Sequence, residues 1–430
     1  MIIPAAERLV RPGAALLLFM APGSLMAQAP SQNDSVLARL TAEALAANPS
    51  LAATRATARA AVSRVRPAGA LPDPMLSAGV MNLALPRFAF RETDFTEVDV
   101  ELTQEFPWPG TLGAKTQAAR AEAQGRGADV AARRREVVVR TAELYYRLRY
   151  VATARATLAR QRRLLATAVE IATTRYATAS APQSDPLQAR VALARLDAEE
   201  TDLAEQQAMV GAELKALRNV RRSESLTIEL IRPETVPLIV PEGRPDVVLA
   251  PESLSAHPRL AARRAAVEAA ERAVRVEQLG GRPDFNITAR YGARPLGADF
   301  FSAFVGIRVP LWAGRKQSRL ADAARADADA ARAALAEETA QLDAELQTVL
   351  AGVLSRETRL RLLTSQVVPS ARATVEAVLR SYRVGQAPFL NVLAAEDSLY
   401  RAELEAAMVA AEHLTHLVML EQLVLREEAQ

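Results

Sequence analysis

Apolar and polar residues alternate strictly in several short stretches of this chain. In residues 96–106, aliphatic and aromatic side chains fall on one face, and acidic and hydroxyl side chains fall on the other. Residues 284–291 and 301–309 repeat the alternation, and residues 75–83 show its weakest form. A period of two is the signature of a strand with one apolar face. The sequence therefore predicts four β-strands.

Outside these strands the period becomes helical. Residues 111–175 contain no proline, and apolar residues recur there every seven positions, at Val130, Val137, Leu144, Val151, Leu158, Leu165 and Ala172. This spacing predicts the seam of a left-handed coiled coil, in a helix roughly 95 Å long. A second long helix, over 315–381, repeats the spacing at Leu346, Val353, Leu360 and Val367. Pro369 predicts a kink or a break near its end.

The predicted elements form one unit that is written twice. Residues 28–220 and 252–430 each contain a helix, two strands, a long helix, a tip (176–186 or 382–391) and a returning helix. A proline-rich linker over 221–251 joins the two copies. Each strand pair ends in an aromatic turn, which contains Phe106, Pro107, Trp108, Pro109 and Gly110 in one copy and Pro310, Trp312 and Gly314 in the other. Helices alone would not repeat these turns and tips in order, so the pattern indicates an internal duplication.

Composition fits long helices. Aromatic residues make up only 4% of the 430 residues, and the 53 basic and 50 acidic residues are interspersed. Ala, Leu, Arg and Glu, which dominate the chain, lose little on entering a helix. A formal net charge of +3 without a basic block gives no case for a nucleic-acid surface.

The first 27 residues predict a secretory signal peptide. Arg8 and Arg11 supply positive charge, 14–21 is an apolar core, and small residues precede the end at Ala27. The apolar core is shorter than the roughly 20 residues of a membrane-spanning helix. The chain contains no cysteine, which excludes a lipid-modified N-terminal Cys as an anchor.

The strands also suggest contact with a membrane. Strands of about ten residues, apolar outside and polar inside, suit a membrane barrel with a wet lumen. Because four strands cannot close, such a chain would have to share a barrel with copies of itself. The alternative is a soluble antiparallel sheet that packs on helices through its apolar face.

The sequence offers little for catalysis. It contains three histidines and no phosphate-binding loop, nucleophile elbow or metalloprotease motif, so we predict no enzyme activity and no cofactor. His413 and His416 lie three residues apart on the last helix and are the candidates for a metal pair, but no carboxylate or thiolate completes a ligand set. His257 precedes Pro258 as Asn48 precedes Pro49, which predicts a helix start.

Three motifs carry a family likeness over essentially the whole mature sequence. With Gln104–Gly110, Val309–Arg315 and the second tip, Tyr382–Gly385 followed by Asn391–Ala395, the chain resembles the TolC-type outer-membrane factors. The first motif looks most like the heavy-metal efflux branch. The resemblance implies a homotrimer with a shared 12-stranded β-barrel in the outer membrane. It also implies a periplasmic tunnel of coiled-coil hairpins, a periplasmic adaptor and an inner-membrane pump.

The resemblance also points to a gate at the periplasmic tip. In the family, an Asp of the first repeat links to a Tyr and an Arg of the second repeat. Asp185 and Tyr382 match the first two positions, whereas the Arg position reads Ala387, with Arg383 as a substitute. Asp185 also precedes Pro186 as a helix N-cap would.

Other tip positions depart from the family pattern. Its ring of aspartates reads Asn391 and Ala394 here, so a strong acidic constriction is not expected. Tyr176 and Gly385 complete the candidate gate. Repeat alignment pairs Asp185 with Asn391, and gating should be sought where the two tips differ.

Together these features predict a passive exit duct for efflux or secretion in the outer membrane of a Gram-negative cell. The cargo, whether metal ions, drugs or protein, would be chosen largely by the pump. Two alternatives stay open, a periplasmic adaptor protein and a soluble structural coiled coil. An adaptor normally has one hairpin between β-domains, whereas this chain has two hairpins.

Overall fold

The structure is a computed structural model, which describes residues 34–83, 86, 89–91, 93–221, 228–238 and 254–424. The predicted signal peptide lies outside these residues, as does most of the predicted linker.

Eight α-helices and four β-strands make up the described part of the chain. The helices are α1 (Ser35–Ala47), α2 (Pro49–Ala68), α3 (Thr111–Ala177), α4 (Ser184–Leu217), α5 (Pro258–Leu279), α6 (Gln317–Leu362), α7 (Val368–Arg383) and α8 (Phe389–Val424). The strands are β1 (Met75–Met81), β2 (Glu97–Phe106), β3 (Asp284–Ala293) and β4 (Phe300–Arg308). The mainly helical fold with one small sheet is confirmed.

The strands form one antiparallel sheet in the order β1-β2-β3-β4. Thr103 of β2 lies opposite Met75 of β1 and Thr288 of β3, and Thr288 lies opposite Phe304 of β4. The two threonine hydroxyls are 2.9 Å apart and share a hydrogen bond. Strands β1 and β4 are the edges, so within the described ranges each has one side without a partner strand.

The apolar face of this sheet is exposed. Phe301 is 73% exposed and Val305 is 76% exposed, and the alternating positions of all four strands on this face carry no Asp, Glu, Lys or Arg. The opposite face holds the charges. There Asp99 is only 9% exposed, and its carboxylate lies 3.3 Å from Arg290 Nε. The alternative prediction of a sheet packed on helices through its apolar face is therefore wrong.

The predicted seam of α3 is buried along most of its length. The buried members are Val137, Leu144, Val151, Leu158, Leu165 and Ala172, whereas Val130 is half-buried. In one cluster Val151 and Leu158 pack against Leu203 of α4 and Tyr400 of α8. The seven-residue repeat thus holds α3 against its neighbours. None of the helices in the described ranges combines the length and apolar character needed to cross a bilayer.

The second long helix is interrupted before Pro369. Residues Leu363–Val367 form a π-helical turn between α6 and α7. A π turn absorbs one extra residue, and it relieves the clash of a proline ring with the preceding turn. Val368, which is half-buried and lies eight residues after the buried Leu360, packs against the same core cluster. The prediction that Val367 keeps the seam is wrong, because its side chain is 44% exposed.

Helices α2 and α5, which the internal repeat matches, start in the same way. Asn48 caps α2 by accepting a hydrogen bond from the Leu51 N–H at 3.0 Å. His257 caps α5 through Nδ1, which accepts from the Arg259 N–H at 3.3 Å. Burial, with the charge of Arg135, lowers the pKa of His257 to about 4, so the imidazole stays neutral and can accept. His257 is the helix-start residue that the repeat predicts.

Candidate functional site at the helical tip

Both hairpin tips turn with the same backbone geometry. Ser180 N–H donates to Arg175 O at 2.7 Å, and Gln386 N–H donates to Ser381 O at 2.9 Å. In each tip the residue before the donor is left-handed, with φ +54° at Ala179 and φ +78° at Gly385. This is the hydrogen-bonding pattern of a Schellman motif, for which Gly is the favoured left-handed residue. Gly385 thus has a structural role in the second tip.

Asp185 and Tyr382, which the family resemblance pairs as a gate link, lie together in one chain. The Tyr382 hydroxyl donates to Asp185 Oδ2 at 3.5 Å, the long end of the hydrogen-bond range. Both side chains are buried. Burial, and next the negative charge of Asp185, raise the pKa of Tyr382, so the phenol remains a donor at neutral pH.

The cation beside Tyr382 is Arg175, at the end of α3. Its Nη1 donates to Tyr382 O at 2.6 Å, and its Nη2 donates to Ser180 O at 3.0 Å. Its guanidinium carbon lies 4.6 Å from the centre of the Tyr382 ring, a cation–π distance. Arg383, the substitute suggested by the sequence, is exposed instead. One guanidinium therefore ties the first tip to the second.

Sequence reasoning missed Arg175. Tyr176 and Tyr382 are matched by the repeat, which pairs Arg175 with Ser381. A cation in the first copy therefore stands where the second copy has a neutral residue, next to a matched tyrosine. This difference is the signal in the sequence that could have identified Arg175. Other tip positions considered in the sequence, Tyr176, Gly385, Asn391 and Ala394, are exposed as well.

An apolar cluster supports the link from behind. The rings of Tyr382 and Phe389 are 5.3 Å apart and tilted by 55°. Leu165 and Ala172 of the α3 seam and Ala189 of α4 complete the contact. Aromatic pairs at this distance add stabilisation beyond their buried area. The second tip is thus packed into the groove between α3 and α4.

The first strand-to-helix turn is anchored on β3. Phe106 ends β2, and Gly110 caps α3 with φ +93°, a left-handed conformation that favours glycine. Between them lie Pro107, Trp108 and Pro109. The Trp108 N–H donates to Asp284 Oδ1 at 2.9 Å, and the indole stacks on Phe285 at 5.9 Å.

The second turn has no such anchor among the residues that the structure describes. Ala313 N–H donates to Pro310 O at 3.1 Å, and Arg315 N–H donates to Trp312 O at 3.0 Å. Gly314 lies in the same turn, just before α6. Trp312 remains 69% exposed. The two turns are therefore equivalent in sequence but not in environment.

Known structures share this architecture. Similar chains include VceC from Vibrio cholerae (21% identity, 91% of this chain and 96% of that chain, TM-score 0.76) and the outer-membrane channel OprN (20%, 92% and 92%, 0.78). CusC also matches (14%, 90% and 91%, 0.74). A comparison with curated protein sequences gives no match. A family model described as "Outer membrane efflux protein" matches residues 40–220 and 249–424.

The chain belongs to the outer membrane efflux protein family. It is homologous to outer-membrane efflux channels, and its family consists of passive channels rather than enzymes. The two matched segments follow the two repeats, which supports the internal duplication. The resemblance found in the sequence is confirmed at the level of the family.

His413 and His416 serve different backbone contacts in this efflux protein. His413 Nε2 lies 3.1 Å from Pro237 O, whereas His416 Nδ1 lies 2.9 Å from Glu412 O on its own helix. Burial lowers the pKa of both histidines, which favours the neutral form. Among the described residues, no group of three or more His, Cys, Asp or Glu side chains is placed to hold a metal ion.

One buried carboxyl group lies above the tip. Glu396 of α8 is buried, and its side chain has a hydrogen bond to Gln161 of α3. Its Oε2 atom has no hydrogen-bond partner in the structure. Burial raises the pKa of Glu396, because a low-dielectric environment disfavours the charged form. The α3–α8 contact therefore favours a neutral carboxylic acid.

Glu396→Gln is expected to stabilise the protein at neutral pH, by about 1–3 kcal/mol, because the wild type must either bury a charged group with an unpaired oxygen or take up a proton on folding to avoid it. The pKa of Glu396 is raised in the folded protein above its ordinary value of 4.5. The protonated side chain therefore contributes stability that is fully present below the unfolded pKa, and this stability is lost as the pH rises through the folded pKa. The difference between variant and wild type should therefore grow from pH 4.5 to pH 7.5.

Thermal unfolding across this pH range measures the effect. Asp397→Asn is the matched control, because Asp397 is an exposed neighbour on the same helix that pairs with Arg401 at 3.0 Å. A pH dependence that is the same in Glu396→Gln and wild type would contradict the assignment.

Proposed function

We propose that this protein is the passive exit duct of a tripartite efflux or type I secretion system, located in the outer membrane of a Gram-negative cell and extending into the periplasm. The observation that carries the proposal is the uncharged, exposed apolar face of the sheet. Water-soluble proteins rarely leave a large contiguous apolar surface uncovered, whereas lipid requires one.

Three copies would complete the pore. The described part of each chain has four strands with two free edges, and lipid cannot hydrogen-bond the polar groups of an open edge. A homotrimer would close one barrel of twelve strands, above the minimum of about eight for a membrane barrel. The charged face, with Glu97, Asp99 and Arg290, would then line a wet lumen.

Export is the step that precedes assembly. The positive, apolar and small-residue segments of residues 1–27 support cleavage of a signal peptide. The chain has no cysteine to carry a lipid anchor. The apolar face of the sheet is then the part of the structure that holds the protein in the outer membrane.

The helical part would form the periplasmic tunnel and its gate. The contacts of Asp185, Tyr382 and Arg175 hold the two tips of one chain together. A periplasmic adaptor would open this end, and an inner-membrane pump would supply the energy. The pump would also select the cargo, with metal ions and drugs as the candidates.

The alternatives make different use of the same surface. A periplasmic adaptor protein or a structural coiled coil that stays in water would have no need of an uncharged exposed sheet face. The two hairpins per chain also differ from the one hairpin expected for an adaptor.

Fractionation of cells that express the full chain tests the proposal. The protein should be recovered from the outer membrane, with a size in detergent of three chains and resistance to dissociation on heating. Recovery from the soluble periplasm as a monomer would reject the duct and favour one of the alternatives.

A further inference from the structure

We infer the residue pairing at the seam between two copies of this chain. Strand β4 of one protomer pairs with β1 of the next, antiparallel, with Ala303 opposite Val80 of the neighbouring copy and Val305 opposite its Ala78. The inference rests on the proposed shared sheet and adds the register that closes it.

The internal repeat supplies the register. Strand β3 repeats β1, and the matched Asp284 follows Asp73 by 211 residues. By that shift Thr288 of β3 corresponds to Ser77 of β1. Ser77 lies opposite Glu101 of β2, and Thr288 lies opposite Phe304 of β4, so Phe304 corresponds to Glu101. Strand β4 therefore repeats β2 with a shift of 203 residues. The same shift carries Pro107 onto Pro310, which is an independent check.

The pairing of strands within the chain then predicts the pairing of the two edge strands, β4 and β1. Leu102 of β2 lies opposite Ala289 of β3. The repeat counterparts of these two residues are Val305 on β4 and Ala78 on β1. The β4–β1 contact between two copies thus repeats the β2–β3 contact within one chain. A second copy of this chain supplies the strand that this contact needs.

The faces of the strands agree with this register. The same shifts place Ile307 opposite Leu76, so that all three outward positions of β1 meet an apolar residue. A slip by one residue would set Val305 against Gly79 and bring apolar and polar faces together. All of these apolar side chains except Ala78 and Ala303 are large and exposed in the single chain.

The composition of the edges also indicates a partner. Edge strands that stay free usually carry charges or prolines that block pairing. Strand β1 has neither, and the single charge of β4, Arg308, forms an ion pair with Glu105 inside the chain. Strands β1 and β4 thus bring no unpaired charge of their own to the seam, which leaves backbone hydrogen bonds and apolar contacts to set the register.

Cysteine pairs test the seam, because the natural chain has no cysteine. Ala303→Cys with Val80→Cys should give covalent dimers and trimers when the full-length protein is oxidised in the membrane. Ala303→Cys with Leu76→Cys is the register control, because the second thiol lies on the same face but about 13 Å further along the strand. Leu102→Cys with Ala289→Cys is the control within the chain, where oxidation should consume thiols without raising the mass.

The expected result is at least a tenfold excess of covalent oligomer for the Ala303/Val80 pair over the Ala303/Leu76 pair. Equal yields, or a higher yield from the control, would overturn the register while leaving the trimer intact. Absence of cross-links in a protein that is still trimeric, with the Leu102/Ala289 pair oxidised, would overturn it too. A protein that is monomeric before oxidation would reject the shared sheet and the seam together.

Discussion

Ala78→Arg is expected to prevent stable insertion of the protein into the outer membrane. Ala78 lies at the middle of β1, on the apolar face, opposite Val100. An arginine on the lipid face of a barrel costs about 2–4 kcal/mol at the bilayer midplane. Each trimer would carry three such residues, so the heat-stable trimer should disappear from the membrane fraction.

Ser77→Arg is the matched control for this change. Ser77 is the adjacent residue, it is similarly small and exposed, and it points to the charged face opposite Glu101. An arginine there would meet a carboxylate and water rather than lipid. The Ser77→Arg protein should be recovered as trimer at the level of the wild type. Equal recovery of both variants would show that lipid does not cover the apolar face.

Arg175→Ala is expected to raise the single-channel conductance several-fold. The substitution removes two hydrogen bonds from a charged donor, to Tyr382 O and Ser180 O, and the cation above the Tyr382 ring. Hydrogen bonds of this kind contribute about 1.5–3 kcal/mol each. Loss of this contact should release the second tip from the first and widen the periplasmic end.

Asp185→Ala should act in the same direction, and Tyr382→Phe should have a smaller effect. The Tyr382 hydroxyl is 3.5 Å from Asp185 Oδ2, whereas the ring itself remains packed on Phe389 in the Phe variant. Recordings in planar bilayers measure the order of the three variants. Asp202→Ala, at an exposed position of α4, is the control for loss of a carboxylate. If the conductance does not change in Arg175→Ala and Asp185→Ala, the contacts of these residues with Tyr382 do not keep the periplasmic end closed.

Local pattern was sufficient to predict most of the fold. The alternation of 96–106 predicts β2 because each face of a strand meets one environment. In β2 one face carries exposed apolar side chains, and the other carries charged side chains that are more shielded. The seven-residue spacing of α3 predicts its buried seam for the same reason. Contacts between distant residues were not predictable in this way. Arg175 and Tyr382 are 207 positions apart, and no spacing rule connects them.

The error at Val367 has a simple physical cause. The sequence shows where Pro369 interrupts the helix, but not how the chain accommodates it. A kink would have preserved the heptad phase, whereas the π turn Leu363–Val367 moves it by one residue. The exposed Trp312 is a similar case, because the repeat predicts the turn but a single chain does not contain its surroundings.

Ion conduction by the purified protein is the direct test of whether this chain forms a passive channel. The full-length wild type and the Arg175→Ala variant would be extracted from the outer membrane and reconstituted in planar bilayers without nucleotide, adaptor or pump. We expect discrete channels in both, driven by voltage alone, with the larger conductance in the variant. Properly inserted trimers that pass no current in either form would contradict this expectation.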